Sequence, residues 1–275
     1  MKYSFTIVLF LLVGVSAKAQ SFTGVATYQS STKIDLKLDS TKIPPDRIKM
    51  IYDRMRQELF KEYELSFNKT ASLFQVVEVL EQTESGRGGG MIAMMAGGAG
   101  STVYKNVKSK ELLEQTEFFG KIFLIKDSLS RDDWKLGKET KQIGSYTCYK
   151  ATTMREIITR TMSTEAESVE DTIEIEVTAW YTPQIPLSQG PDIYWGLPGL
   201  IMEVNTDKTT ILCTKLVLNK EDLEIKVPKK GEEVTRAEYT KIVEEKMVEM
   251  EKMRGQRPGG GHGGPSGSMQ IRISR

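Results

Sequence analysis

A single histidine, His262, serves the whole chain, and it lies in a run of glycines. Nucleophilic catalysis through a Ser-His-Asp or Cys-His arrangement needs an imidazole clamped by a rigid shell. A Gly-rich run offers no such shell, so hydrolases of those classes are set aside, and a His-based zinc site with them. Cys148 and Cys213 lack the close paired spacing of a structural zinc site. Acid–base work is left to carboxylates, densest at Asp132-Asp133 and at Glu165, Glu167, Glu170 and Asp171. Glycosidase chemistry needs two carboxyls facing each other across a cleft, and this spacing sets no such pair. Turn residues and a solvated loop account for the same groups, so a carboxylate-based enzyme ranks last among the readings. No Gly-Lys-Ser/Thr follows the glycines, which removes a phosphate cradle. The residues point to no cofactor.

Methionine and cysteine leave choices open. Met247, Met250 and Met253 recur every three residues, with His262 a short tether away. Thioethers spaced this way suit Cu(I), yet Met247 and Met250 also complete the apolar stripe of a helix. Met91, Met94 and Met95 offer an adaptable contact surface for a partner. Cys148 and Cys213 both fall in segments that read as strands. They form either a disulfide between packed strands or two small buried residues that never meet.

The elements that must position these groups are mostly strands. Phe22, Val25 and Tyr28 punctuate one segment, Ile34, Leu36 and Leu38 another, and Tyr63, Leu65 and Phe67 a third. Ile173, Ile175, Val177 and Ala179 alternate with Glu174, Glu176 and Thr178, the pattern of a half-buried strand. Strands are also expected over Phe118–Ile125, Cys148–Met154, Leu200–Val204 and Ile211–Leu218. Pro44 and Pro45 open a helix over 45–60 with Ile48, Ile51, Tyr52, Met55 and Leu59 on one face. Thr235 and Glu238 form a capping box for a second helix, striped by Tyr239, Val243, Met247 and Met250. The expected fold is mainly β (α+β): one curved antiparallel sheet or half-barrel of roughly eight to eleven strands, with one packed helix and a C-terminal helix. Its expected parts are a β-rich domain over 20–231 with a flexible Gly/Met-rich insertion at 85–100, the helix at 232–254, and an unstructured Gly-rich tail at 255–275.

Residues 1–19 read as a cleaved leader. Lys2 gives a positive start, the apolar run Phe5–Val15 is too short to span a bilayer, and Ala17-Lys18-Ala19 is a small-x-small cleavage site. The expected product starts at Gln20, is exported to the periplasm or beyond, and has no transmembrane segment. Removing Lys2 and Lys18 leaves 36 basic residues against 37 acidic ones. That balance gives no support for nucleic acid as a partner.

The most distinctive run is Tyr194-Trp195-Gly196-Leu197-Pro198-Gly199-Leu200-Ile201. Its two glycines and Pro198 describe a sharp turn whose Leu197, Leu200 and Ile201 plug one end of a core. A second reading makes Tyr194 and Trp195, with Trp180 and Tyr181, the rim of a groove for a ligand or protein segment. The run resembles the signature of the GLPGLI family, exported proteins of Bacteroidota named after the hexapeptide. Ala179-Trp180-Tyr181-Thr182-Pro183, Gly190-Pro191 and Cys148-Tyr149-Lys150-Ala151 extend the resemblance. It implies no assigned activity, and it implies a setting near an outer-membrane receptor or another envelope protein. The function expected is a non-enzymatic binding or accessory protein near the outer membrane. A carrier of lipid or apolar peptide in a half-barrel cavity and a copper-handling protein stand as alternatives.

Overall fold

Period-two segments favour extended chain, and extended chain must find partners for its backbone N–H and C=O groups. In the computed structural model of the chain, which describes residues 22–32, 44–50, 60–77, 101–162, 169–255 and 269–274, those partners come from one sheet. Its strands are β1 (Gly24–Thr32), β2 (Phe60–Phe67), β3 (Ala71–Val76), β4 (Thr102–Asn106), β5 (Glu111–Phe118), β6 (Lys121–Ser128) and β7 (Lys135–Ile143). They continue as β8 (Tyr146–Met162), β9 (Val169–Thr182), β10 (Leu200–Asn205), β11 (Thr209–Leu218), β12 (Glu232–Thr235) and β13 (Met269–Ser274). The order across the sheet is β12-β6-β5-β4-β3-β2-β1-β11-β10-β9-β8-β13, and β7 pairs separately with β8. The sheet is open and curved, and the mainly β expectation holds.

Several details depart from the sequence pattern. The described residues alone form thirteen strands, above the expected range. The surplus comes from segments without alternation: β7 exposes almost every residue, and β12 has only four. Pairing is antiparallel throughout except that β12 lies parallel to β6. Phe118–Ile125 is not one strand, because Phe119 (φ 51°) and Gly120 (φ 75°) reverse the chain and set Phe118 opposite Lys121. Two consecutive positive φ values match the right-handed twist of a two-residue hairpin. In the stretch expected to be an unstructured tail, Met269–Ser274 pairs antiparallel with Ile157–Met162 of β8. Met269, Ile271 and Ile273 alternate there with polar residues, a short period-two signal among glycines.

The C-terminal helix runs Arg236–Gly255, starting later than expected because β12 takes Glu232–Thr235. Its capping box is formed: the Glu238 carboxylate accepts from the Thr235 backbone N–H at 2.8 Å, and the Thr235 hydroxyl accepts from the Glu238 N–H at 3.2 Å. The Thr235 backbone N–H and hydroxyl, both donating to the carboxylate, hold the exposed Glu238 carboxyl below its ordinary pKa. Tyr239, Ile242 and Val243 pack on Phe118, Phe123, Ile125 and Val234, so this helix is the one seen to cover the sheet. Of the expected 45–60 helix, 45–50 is helical and mostly exposed, while 51–59 lies outside the described residues. The leader 1–19, the Ile34–Leu38 segment, the 85–100 insertion and His262 lie outside them too, as do the side chains of Met247, Met250 and Met253. Among the described residues no helix is long and apolar enough to cross a membrane.

The main core joins Tyr28, Leu65, Phe67, Phe74 and Val103 from β1 to β4 with Leu200, Met202 and Cys213 from the β10–β11 side. Cys148 lies in the same cluster, and both cysteines are buried free thiols in the structure. β9 and β10 separate their strands in the sheet order, while the two side chains share one core cluster. Burial pushes the Cys148 thiol up to about 11 and the Cys213 thiol up to about 12, which suppresses the nucleophilic thiolate. Both cysteines should therefore resist alkylation in the native protein and react fully once it is unfolded without reductant. Intact mass after iodoacetamide treatment reads this directly, and a thiol count of zero in denaturant would restore the bridge.

Candidate functional site

The signature belongs to a strap, residues 183–199, that leaves β9 at Thr182 and returns to β10 at Leu200. β9 and β10 are neighbours, so a tight hairpin would suffice to join them. The strap instead reaches as far as β4, which lies five places from β10 in the sheet order. It is folded on itself by backbone bonds from Gly196 N–H to Ser188 (3.3 Å), Leu200 N–H to Ile185 (3.0 Å) and Ile201 N–H to Gln189 (3.0 Å). Ile185 and Leu187 enter the main core, while Tyr194, Leu197 and Ile201 form a second cluster with Ala151, Val177, Ala179, Tyr181 and Val204.

Lys105 of β4 is the anchor. Its side chain is completely buried, and its ammonium donates to the backbone carbonyls of Gly190 (2.7 Å), Asp192 and Tyr194 (3.0 Å). Three donors meet three acceptors, which is the full capacity of an ammonium group. Burial pushes the Lys105 pKa down from 10.5 to about 7; the Asp192 carboxylate opposes the fall and the Arg155 cation adds to it. Asp192 moves the other way, raised chiefly by burial and further by Glu114, with Lys105, Arg155 and Arg236 opposing. Asp192 also holds a positive φ of 49°, in the left-handed region that few non-glycine residues adopt.

A second ring of contacts comes from the segment between β6 and β7. Arg131 donates to the Gly196 carbonyl at 2.7 Å, and the Trp195 indole to the Ser130 carbonyl at 2.8 Å. The Trp134 indole donates to the Trp195 carbonyl at 2.9 Å. Asp132 grips Arg155 of β8 through two bonds of 2.7 and 2.9 Å, and that guanidinium lies 5.1 Å from the Tyr194 ring centre. Burial pulls the Arg155 pKa down, but its bonds to Asp132 outweigh this and leave it raised. From β1, the buried Tyr28 hydroxyl donates to the Ile201 carbonyl at 2.6 Å.

The expected site residues thus divide. Leu197, Pro198 and Gly199 bend the chain into β10, which begins at Leu200; of Gly196–Ile201 Pro198 is exposed and the rest buried. The four aromatics divide between two clusters. Tyr181 and Tyr194 join the second cluster, whereas Trp180 and Trp195 pack against the main core. Trp180 carries the Lys141 ammonium 4.5 Å above its ring, and Lys141 in turn bridges Glu203 at 2.5 Å. Of the acid–base candidates, Asp132 is spent on Arg155, Asp133 is exposed, and Glu165 and Glu167 lie outside the described residues. Among the described residues no group of His, Cys, Asp and Glu could hold a metal ion. Lys105, Arg131 and Arg155 were not legible as site residues. For Lys105 and Arg155 the one local signal is a cation on a strand with no carboxylate at the helical or cross-strand spacing that would pair it.

Comparisons with known proteins agree with the emphasis on this region. Residues 134–203, from Trp134 through the strap to Glu203, match the model of a family described as protein of unknown function (Porph_ging). No curated protein matches the chain. Solved structures of PNGF-II in C2 and P21 space groups are similar at TM-score 0.48, with 16% and 15% identity over 81% and 80% of this chain. The chain spans about a third of their length, 33% in both cases.

Two measurements follow from the strap. Gly196 has φ +93°, and a Cβ at Gly199 would stand 2.2 Å from the Thr182 carbonyl oxygen. Alanine at either position should cost more than the roughly 1 kcal/mol of an average substitution, with Gly199→Ala the worse because backbone must move. Chemical denaturation of both variants tests this, and an unchanged midpoint for Gly199→Ala would refute it. The second concerns pH. With its folded pKa below the free value of 10.5, Lys105 leaves the native state with fewer bound protons than the unfolded chain between about pH 7 and 10.5. Its contribution to stability therefore rises with pH across that window. Lys105→Met should lose about 3 kcal/mol or more through stranded carbonyls and should also lose this rise. Denaturant midpoints at pH 7 and pH 9 for both proteins give the comparison.

Proposed function

We propose that this protein is an exported, non-enzymatic binding or accessory component of the cell envelope, acting near the outer membrane. The observation that carries the reading is the internal pairing of Lys105, Asp132, Arg155, Trp134 and Trp195 around the signature. Lys105 is saturated by three carbonyls, Asp132 and Arg155 hold each other, and both strap-facing indoles donate to backbone oxygens. A catalytic group needs a free lone pair or proton directed at substrate; these are directed at other groups of the protein itself. The region therefore acts as architecture, and contact with partners falls to the outer surface. Ile185, Leu187 and Leu197 occupy core space that a lipid carrier would keep open for cargo, which weighs against the carrier alternative. Export rests on the leader pattern of residues 1–19.

The test is recovery of the tagged protein from fractionated envelopes after mild crosslinking. The expected outcome is a chain beginning at Gln20, found in the periplasmic or outer-membrane fraction and crosslinked to a defined envelope protein. Recovery alone with stoichiometric phospholipid would favour the carrier instead, and recovery with the leader intact would overturn export.

A further inference from the structure

We infer that the edge of β9 left unpaired among the described residues is a docking edge for an extended polypeptide segment that alternates Lys or Arg with apolar residues; the inference deepens the binding role proposed above and rests on it. β9 pairs with β8 along Val169–Tyr181 but with β10 only along Thr178–Thr182. Residues 169–177 therefore run past β10 for about 30 Å with one side of the backbone unpaired among the described residues. An unpaired row of N–H and C=O groups is a template for one more strand.

The side chains along the edge select what that strand can be. Ile173, Ile175 and Val177 turn to one face, where Val177 is buried and Ile175 packs on the second cluster. Glu174 and Glu176 turn to the other face and are exposed. On the same face Glu156 of β8 stands directly opposite Glu174, and Met154, half exposed at 50%, stands opposite Glu176. A cation on the next strand would stand beside the exposed carboxylates of Glu174 and Glu176. From Val169 to Val177 the edge carries Glu170, Asp171, Glu174 and Glu176 and no Lys or Arg. A second copy of the same edge would align carboxylates against carboxylates, so self-pairing is disfavoured and a basic strand is favoured. The partner strand continues both faces, with apolar residues beside Ile173 and Ile175 and cations beside Glu174 and Glu176.

The experiment uses the full chain, a synthetic peptide of alternating Lys and Val, and its Glu/Val counterpart, followed by titration and amide hydrogen exchange. The Lys/Val peptide should bind, weaken with added salt, and slow exchange within residues 172–177. The Glu/Val peptide should not bind. Glu174→Lys combined with Glu176→Lys should weaken Lys/Val binding about tenfold and leave the melting temperature near wild type, since both residues are exposed. Exchange already slow at 172–177 in the free protein, binding indifferent to the charge reversal, or equal binding of the two peptides would each overturn the inference. An envelope partner crosslinked equally well by wild type and by the charge-reversed variant would leave the binding role standing and remove this edge from it. Peptide binding without any envelope partner would do the reverse.

Discussion

A buried ammonium that meets three main-chain carbonyls holds the signature strap in place. Moving a lysine charge out of water costs several kcal/mol unless the charge is fully hydrogen-bonded. Lys105 meets that demand only because the strap presents Gly190, Asp192 and Tyr194 to it. The strap has the matching need, since its buried carbonyls have no ladder to join. Each is stable because the other is there. The contact connects β4 with the β9–β10 corner across intervening strands, so it constrains the curvature of the sheet as well as the loop.

Around this anchor the other polar contacts act in one direction. Asp132 orients Arg155 beneath Tyr194, Arg131 and the two indoles tie the β6–β7 segment to Trp195 and Gly196, and Tyr28 fixes the start of β10. These are mainly charge-assisted or buried bonds to backbone oxygen, the kind whose loss leaves an expensive orphan. The two signature glycines answer different requirements: Gly196 a positive φ, Gly199 a close approach to Thr182. The segment most distinctive in sequence is thus the one most constrained by packing, which explains how a motif can be specific without being reactive.

The surface has a different logic. Where β9 outruns β10, an acidic strand edge remains beside apolar positions. Charge on such an edge prevents association between identical copies and at the same time selects a partner of opposite sign. A rigid interior and a selective edge are compatible with a protein whose work is contact.

Local pattern alone determined the strands with one buried face. Ile173, Ile175 and Val177 against Glu174 and Glu176, or Tyr63, Leu65 and Phe67 against their neighbours, announce β9 and β2 because burial of one face imposes period two on the chain. The Thr235–Glu238 cap was equally legible, since both partners lie within one turn. What lacked a local signal was decided in three dimensions. β7 is exposed along almost its whole length and carries no alternation, and it becomes a strand because β8 offers a ladder. The Phe119-Gly120 reversal, hidden inside an apolar run, is set by the pairing of β5 with β6. The pairing of Lys105 with the strap spans more than eighty residues of sequence, and neither side announces the other: a lysine on a strand reads as solvated until a loop closes over it. Sequence determined which segments extend and which face each one buries, because those depend on neighbours along the chain. The tertiary structure decided that the aromatics divide between two clusters and that Lys105 clamps the signature strap, because those depend on which strands the sheet brings together.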